Sequence, residues 1–151
     1  PLWRLCRTHR ISDSCRTILD YLDARAGGGK ILPASGPDRY AVMSMSALAD
    51  GILDAAVLVI YEDRLRPEGM QVESFVTFQR DKIIRGLQGI PMERYESGAM
   101  PDIAEIGMAC ALDYLDFRKQ VEWRDHAPHL VEWKDGFAAA VPGYADTMPS
   151  D

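Results

Sequence analysis

The sequence is poor in the features that suit a protein to nucleic acid. Its 17 Lys and Arg residues are outnumbered by 23 Asp and Glu residues, which gives a formal net charge of -6. No run of Lys or Arg collects on one predicted helix face, so a phosphate backbone would on average be repelled. We therefore expect no nucleic-acid partner.

Cysteines and long apolar runs are also scarce. The three cysteines, Cys6, Cys15 and Cys110, lie far apart and lack the paired spacing of a zinc site or the density of a disulfide scaffold. The three histidines have no ligand spacing with cysteines or carboxylates, so we expect no bound metal. The longest strongly apolar run, AAVLVIY, is far shorter than the roughly 20 residues that cross a bilayer, and the first residues contain no apolar signal core. We expect a soluble, cytoplasmic protein with no membrane partner.

What the sequence does contain is helical periodicity. Apolar residues recur at three- and four-residue steps in five segments, bounded by glycines, prolines or capping residues. These segments predict helices over residues 14–26, 38–66, 73–87, 103–117 and 128–140. No segment favours a strand, and there is no internal repeat. The pattern predicts an all-α fold, a bundle of four or five main helices.

Two of these helices carry more specific predictions. The residues predicted to face inward in the helix over 73–87 are Phe75, Val76, Phe78, Ile83, Ile84 and Leu87. The same helix is expected to fray or bend at Gly86 and Gly89. The helix over 103–117 has the clearest start signal, a capping box in which Asp102 accepts the amide of Glu105 while Glu105 reaches back to the amide of Asp102. Its almost wholly apolar sequence, Cys110 included, predicts a helix at the centre of the bundle.

Three stretches occur in a characteristic order: YLDARAGGGKILPASGPDRYAV, PDIAEIGMACALDYLDFR and HAPHLVEWKDGFAAAVPGYADTMP. They resemble, in turn, the interdomain linker with the start of the long helix, the capping-box helix and the proline-closed tail of the glutathione transferase family. The resemblance is to the bacterial type of its helical C-terminal domain, and it covers about residues 17–149. It implies the same all-α domain that the periodicity predicts.

The resemblance also implies that the chain has two parts. Residues 1–30 correspond to a remnant of a thioredoxin-like domain, with its last helix at about 14–26, and residues 31–151 to the all-helical C-terminal domain. Family members normally begin with a complete thioredoxin-like domain that carries the catalytic Ser, Tyr or Cys, and residues 1–10 do not match it. We therefore expect no catalytic residue in this chain. Our hypothesis is that the N-terminal domain is missing through truncation or a frame change upstream.

The stretch ISDSCRTILDYLD, residues 11–23, is where the resemblance implies half of a glutathione site. In the family an acidic residue and a serine open this helix and bind the γ-glutamyl carboxylate through the hydroxyl and the helix amides. We assign this role to Asp13 and Ser14, although Cys15 makes the motif one residue longer than it is in the family. The alternative is that either residue is only the N-cap of the helix, which is worth about 1 kcal/mol.

Further site residues on the long helix come from the resemblance. An acidic residue there can reach across a dimer to the ammonium of the partner's glutathione, a role that falls to Asp50. Tyr40 and Met43 would line the pocket for an apolar second substrate. The alternatives are that Asp50 and Asp54 are solvated or pair with a neighbouring arginine, and that Met43 is ordinary core.

The function implied by the resemblance is attack of the glutathione thiolate on a small apolar electrophile, with glutathione as a substrate. In this chain we expect that reaction to be impaired, because the catalytic domain is missing. The alternative function is a non-catalytic helical module for dimerisation or for holding ligands. Both functions predict a homodimer or other self-association, since part of the long helix would otherwise expose apolar surface.

Overall fold

The computed structural model describes residues 15–91 and 100–148. Their helices, in chain order, are α1 (Cys15–Arg25), α2 (Pro37–Leu65), α3 (Glu73–Gln88), α4 (Ile103–Arg118), α5 (Trp123–His126) and α6 (His129–Ala140), followed by a 3₁₀ turn at Ala145–Thr147. No strand is present in these two ranges. The prediction of an all-α fold is confirmed.

The helix boundaries agree with the periodicity to within one residue at each end. The short helix α5 is the exception, because a single turn is too short to show a period in the sequence. Pro37 opens α2 in its first turn, where the missing amide hydrogen costs nothing. The left-handed Lys119 caps the end of α4, and its amide donates to the carbonyl of Leu115.

The capping box at the start of α4 is complete. The Asp102 carboxylate accepts from the amides of Ala104, at 2.8 Å, and Glu105, at 2.9 Å. Glu105 returns the contact by accepting from the amide of Asp102 at 2.8 Å. Two amides of the first turn and that of Asp102 are thereby satisfied, so α4 can begin in a largely buried place.

The core forms where α2, α3 and α4 meet and is closed by α5 and α6. Its largest fully buried side chains are Trp123, Ile52, Ile83, Leu87, Met108, Leu112, Leu115 and Leu130. Small residues set the distance between α2 and α4: a Cβ built on Gly107 would lie 3.4 Å from the Cβ of Ala49. The two backbones therefore approach closely along their central turns.

A single carboxylate organises the link between α1 and α2. Asp23 accepts from the amides of Gly29, Lys30 and Ile31 at 2.8, 3.0 and 3.1 Å. The chain can make this tight turn because three consecutive glycines, residues 27–29, all take positive φ. The carbonyl of Ile31 then accepts from the amide of Ile103 at 3.0 Å, which fixes the link to the start of α4.

Three predictions about individual side chains are wrong. Phe78 is 56% exposed, and the polar Gln79 takes the inward position beside the buried Ile83 and Leu87. The helix continues through Gly86, which faces Ile52 and lets α3 approach α2, but it ends at Gly89, its C-cap, as predicted. Cys110 is exposed rather than buried in the core.

Within the described residues, α2 is long and apolar enough to cross a bilayer when only its length and composition are considered. The central helix of a water-soluble bundle meets the same criterion, and α2 packs against both α3 and α4.

The capping box yields a first prediction. Asp102→Ala should lower the free energy of unfolding by about 0.5–2 kcal/mol, because two amides of α4 lose their acceptor. Asp102→Asn keeps a side-chain oxygen and should lose less. Urea unfolding of both variants measures this, and a loss near zero in the alanine variant would contradict the role assigned to Asp102.

Two helical glycines form a matched pair for a second prediction. Gly51→Ala should raise the free energy of unfolding by about 0.5–1 kcal/mol, since its new Cβ meets nothing within 4 Å. Gly86→Ala should gain less or lose stability, because its Cβ would lie 3.0 Å from Cγ1 of Ile52. Equal stabilisation of the two variants in urea unfolding would show that α3 and α2 are not in close contact at Gly86.

Candidate functional site

Two ion pairs hold α1 against α2. The Nε atom of Arg16, in the first turn of α1, lies 2.9 Å from Oδ2 of Asp50 in the middle of α2. The Nη2 atom of Arg39 lies 2.8 Å from Oδ2 of Asp20. Arg39 also donates to the carbonyl of Pro33, which ties the link into the same contact. The beginning of α1 is thus placed beside the Asp50 carboxylate.

Two of the residues predicted to bind glutathione, Asp13 and Ser14, lie outside the described residues, so their roles stay predictions. Asp50 is about 40% exposed and pairs with Arg16, an arginine on another helix. No periodicity signals such a pair, because its members are far apart in the sequence. Asp54, one turn further along α2, is exposed.

The predicted pocket residues on α2 are accessible to solvent. Tyr40 is 71% exposed and Met43 is 39% exposed. Met43 is therefore not a core residue. The two side chains lie three positions apart on the first turns of α2, which brings them close together on the helix surface.

A concave surface, the α4 groove, lies between α4 and the segment that follows α6. It has a volume of about 420 Å³, and its lining is almost wholly apolar. The lining includes Ile106, Cys110, Tyr114, Phe117, Val141 and Tyr144, and excludes Tyr40, Met43 and Asp50. The sequence does not reveal this groove, since its two walls come from distant segments.

One polar contact closes the floor of the α4 groove. The Tyr144 hydroxyl donates to the Asp113 carboxylate at 2.7 Å, and its ring meets Phe137 edge-on at 5.5 Å. Burial, and then the hydrogen bond to Asp113, raise the pKa of Tyr144 well above its usual value. The phenol therefore keeps its proton, and the segment after α6 stays attached to α4.

Ion pairs behind the groove join α4, α5 and α6. Lys134 Nζ lies 2.7 Å from Asp113 and 2.6 Å from Asp116. Asp116 also accepts from the Trp123 indole at 2.7 Å and from both Nη atoms of Arg124, at 2.6 and 2.9 Å. Burial alone would raise the pKa of Asp116, but the hydrogen bonds from Arg124, Lys134 and Trp123 outweigh it and lower the pKa to about 2.

The side chain of Cys110 forms part of the groove wall. Its apolar surroundings, and then the charge of Asp113, raise its pKa. It is therefore uncharged at neutral pH and a weak nucleophile. Within residues 15–91 and 100–148 there is also no group of three or more His, Cys, Asp or Glu side chains that could hold a metal ion.

Comparisons with known proteins give a consistent picture. No family model matches the chain. An uncharacterized GST-like protein of Escherichia coli (strain K12), YibF, is 34% identical over 119 residues, which are 76% of this chain. The chain spans 58% of the length of that relative.

Solved structures extend the similarity. A glutathione transferase family member from Pseudomonas fluorescens Pf-5 with bound S-(propanoic acid)-glutathione is 40% identical, with a TM-score of 0.83 over 93% of this chain and 72% of its own. A glutathione S-transferase from Methylobacillus flagellatus KT with glutathione bound is 32% identical, with a TM-score of 0.81 over 92% of this chain and 70% of its own.

The ion pairs of Asp116 yield a third prediction. The stability that Asp116 contributes is present above its unfolded pKa of 3.8 and is lost as the pH falls through about 2. The difference in free energy of unfolding between the wild type and Asp116→Asn should shrink by roughly 2 kcal/mol between pH 6 and pH 2. Asp125→Asn, a change at an exposed carboxylate on α5, is the control. A difference for Asp116→Asn that stays constant with pH would contradict the assignment.

Proposed function

The chain belongs to the glutathione transferase family, and from this premise we propose that it binds glutathione and takes part in conjugation of the glutathione thiolate to a small apolar electrophile. The observation that carries the proposal is the 40% identity, over 93% of the chain, to a solved family member that holds a glutathione derivative. The thiol of glutathione loses its proton to solvent, and the thiolate then forms a carbon–sulfur bond with the electrophile. In a substitution the leaving group departs with the bonding electron pair, and in an addition the neighbouring atom of the electrophile takes that pair and is then protonated by solvent. We assign no residue of this chain to activation of the thiol.

The glutathione end of the site begins at α1. The α-amino acid head of a γ-glutamyl group carries a carboxylate and an ammonium on the same carbon, so it needs donors and an acceptor close together. The first amides of α1 point toward its N-terminus and favour an anion there, and Asp13 and Ser14 directly precede the helix in the chain. The Ser14 hydroxyl and these backbone amides receive the carboxylate.

Asp50 supplies the acceptor for the ammonium. Its contact with Arg16 puts its carboxylate beside the first turn of α1, within the same protomer. This supports a role toward the glutathione of its own protomer, while the role toward the glutathione of a partner, which the resemblance implies, stays a prediction. In the absence of ligand, Arg16 neutralises part of the Asp50 charge. The glutathione ammonium therefore competes with the Arg16 guanidinium for the Asp50 carboxylate.

The electrophile contacts the first turns of α2. Tyr40 and Met43 present two apolar surfaces to solvent there, and burial of such surfaces against an apolar ligand is favourable at about 25 cal/mol per Å². Glutathione is in this account a substrate and not a resident cofactor.

Self-association and a cytoplasmic location complete the proposal. Large apolar side chains are exposed at the end of α2 and on α3: Tyr61 is 52%, Leu65 71% and Phe78 56% exposed. A second copy of the chain would remove this surface from water. The low cysteine content favours a reducing compartment. If the chain is instead a non-catalytic module, it self-associates without binding glutathione.

Two substitutions in the Arg16–Asp50 ion pair and one control give the fourth prediction, which is measured by calorimetric titration with glutathione in reducing buffer. Asp50→Asn should weaken binding about tenfold, because an ionic hydrogen bond to the ammonium is lost. Asp54→Asn, one turn away, should leave the affinity unchanged. Arg16→Met frees the Asp50 carboxylate and should preserve or improve binding.

These variants also separate binding from support of the fold. If Arg16→Met weakens binding as much as Asp50→Asn does, the ion pair acts by holding α1, and Asp50 does not contact the ligand. If the wild-type chain shows no saturable binding, the non-catalytic alternative replaces the proposal.

A further inference from the structure

The α4 groove is an apolar surface that the described residues leave open to solvent. It has a volume of about 420 Å³ and an almost wholly apolar lining. Ile106, Tyr114 and Phe117 are only partly buried in it, and Cys110 is exposed. Apolar surface left open in this way marks a place where another segment or molecule binds. The groove therefore suits an apolar occupant.

The part of the chain that precedes α1 has the composition of such an occupant. Residues 1–14 are the longest stretch outside the described ranges, and they contain four large apolar side chains: Leu2, Trp3, Leu5 and Ile11. The same stretch carries three cations and no acidic residue before position 13: Arg4, Arg7 and Arg10. Because the whole chain has a net charge of -6, this stretch is opposite in charge to the rest of the chain.

The direction of α1 shows where the preceding residues leave the helix. Leu19 packs against the small apolar cluster that includes Val42, near the start of α2. Three residues earlier, Arg16 reaches Asp50, two turns further along α2. Moving back along α1 therefore means moving forward along α2. The chain that precedes α1 approaches it from the side of the C-terminal half of α2.

The same direction leads along α4 to the groove. Val42 shares its cluster with Ile103, and Ala49 meets Gly107, so α4 runs beside α2 in the same sense. Gly107 directly follows Ile106, which lines the groove. Followed along these contacts, the first turn of α1 lies within about 25 Å of the groove, and 14 extended residues span up to about 45 Å. Residues 1–14 are thus long enough to reach the groove and run along it.

The rim of the groove offers a counter-charge to the arginines. Asp146 is exposed, and a Cβ built on Gly143, which lines the groove, would lie 4.0 Å from its Oδ2 atom. Asp113 is already paired with Lys134 at 2.7 Å. An arginine at this rim would therefore meet the Asp146 carboxylate.

We propose that residues 1–12 of this chain lie along the α4 groove and cover it. Trp3 and Leu5 contact the apolar wall, and an arginine of the segment pairs with Asp146. Asp13 and Ser14 stay at the start of α1, so the inference uses none of the residues assigned to glutathione and does not rest on the proposed function. Any other occupant of the groove has to displace this segment.

Two native cysteines test the inference on the full chain. Cys6 lies within the proposed cover, and Cys110 is exposed in the groove wall. A short bifunctional maleimide added to the dilute, reduced chain should link Cys6 to Cys110, because only thiols that lie close together can be bridged. In concentrated urea Cys6 should instead link to Cys15, its neighbour in the sequence. Peptide mass spectrometry identifies the linked pairs.

A mixture of isotopically labelled and unlabelled chains separates links within one chain from links between chains. The inference predicts that Cys6–Cys110 links form within one chain. Links that join two chains, or a folded chain in which Cys6 links only to Cys15, would overturn it.

The rate at which iodoacetamide modifies Cys110 gives a second test. Trp3→Ser should loosen the cover and speed this modification about tenfold, since the thiol reacts only when the cover opens. Met70→Ser, at an exposed apolar residue after α2 and outside the groove, is the control and should leave the rate unchanged. An equal rate in the wild type and in folded Trp3→Ser would overturn the inference, and if circular dichroism shows that Trp3→Ser does not fold, the cross-linking result decides alone.

Discussion

The structure depends on the close packing of α4 against α2. Gly107 and Ala49 allow the two helices to approach, and the Asp102–Glu105 capping box lets α4 start inside the protein without leaving its first amides unsatisfied. The link from α1 is attached to the same end of α4, because the amide of Ile103 donates a hydrogen bond to the carbonyl of Ile31. At its other end α4 carries Asp113 and Asp116, which hold α5, α6 and the segment after α6. One helix thus positions α2, the link from α1, α5, α6 and the segment after α6, whereas α3 packs against α2 and α5.

This arrangement creates two regions of different chemistry. Beside α1 the surface is polar, with Asp50 and Arg16 in an ion pair that a zwitterionic head group can rearrange. Along α4 the surface is an apolar groove of about 420 Å³. We propose that the first region binds the amino-acid end of glutathione, whereas the second is apolar. No residue that we assign to one region contributes to the other.

Helix boundaries and fold class are predictable from the sequence because they follow from local signals: apolar periodicity, Pro37, the capping box and the glycines after α1. Burial of individual residues is less predictable. Phe78 was expected inside, yet Gln79 takes that place, because the inward face of α3 is set by its contact with α2 and not by which residues are most apolar. The partners of Asp50 and Tyr144 and the α4 groove depend on contacts between distant segments, which no local pattern contains.

The separation of the two regions is the central claim, and an NMR titration of the isotopically labelled chain with glutathione tests it most directly. The account predicts saturable shifts in the backbone amide signals of the first turn of α1 and of α2 around Asp50, with the signals of α4 from Ile106 to Phe117 unchanged. Shifts concentrated along α4, or no saturable shifts at all, would contradict it.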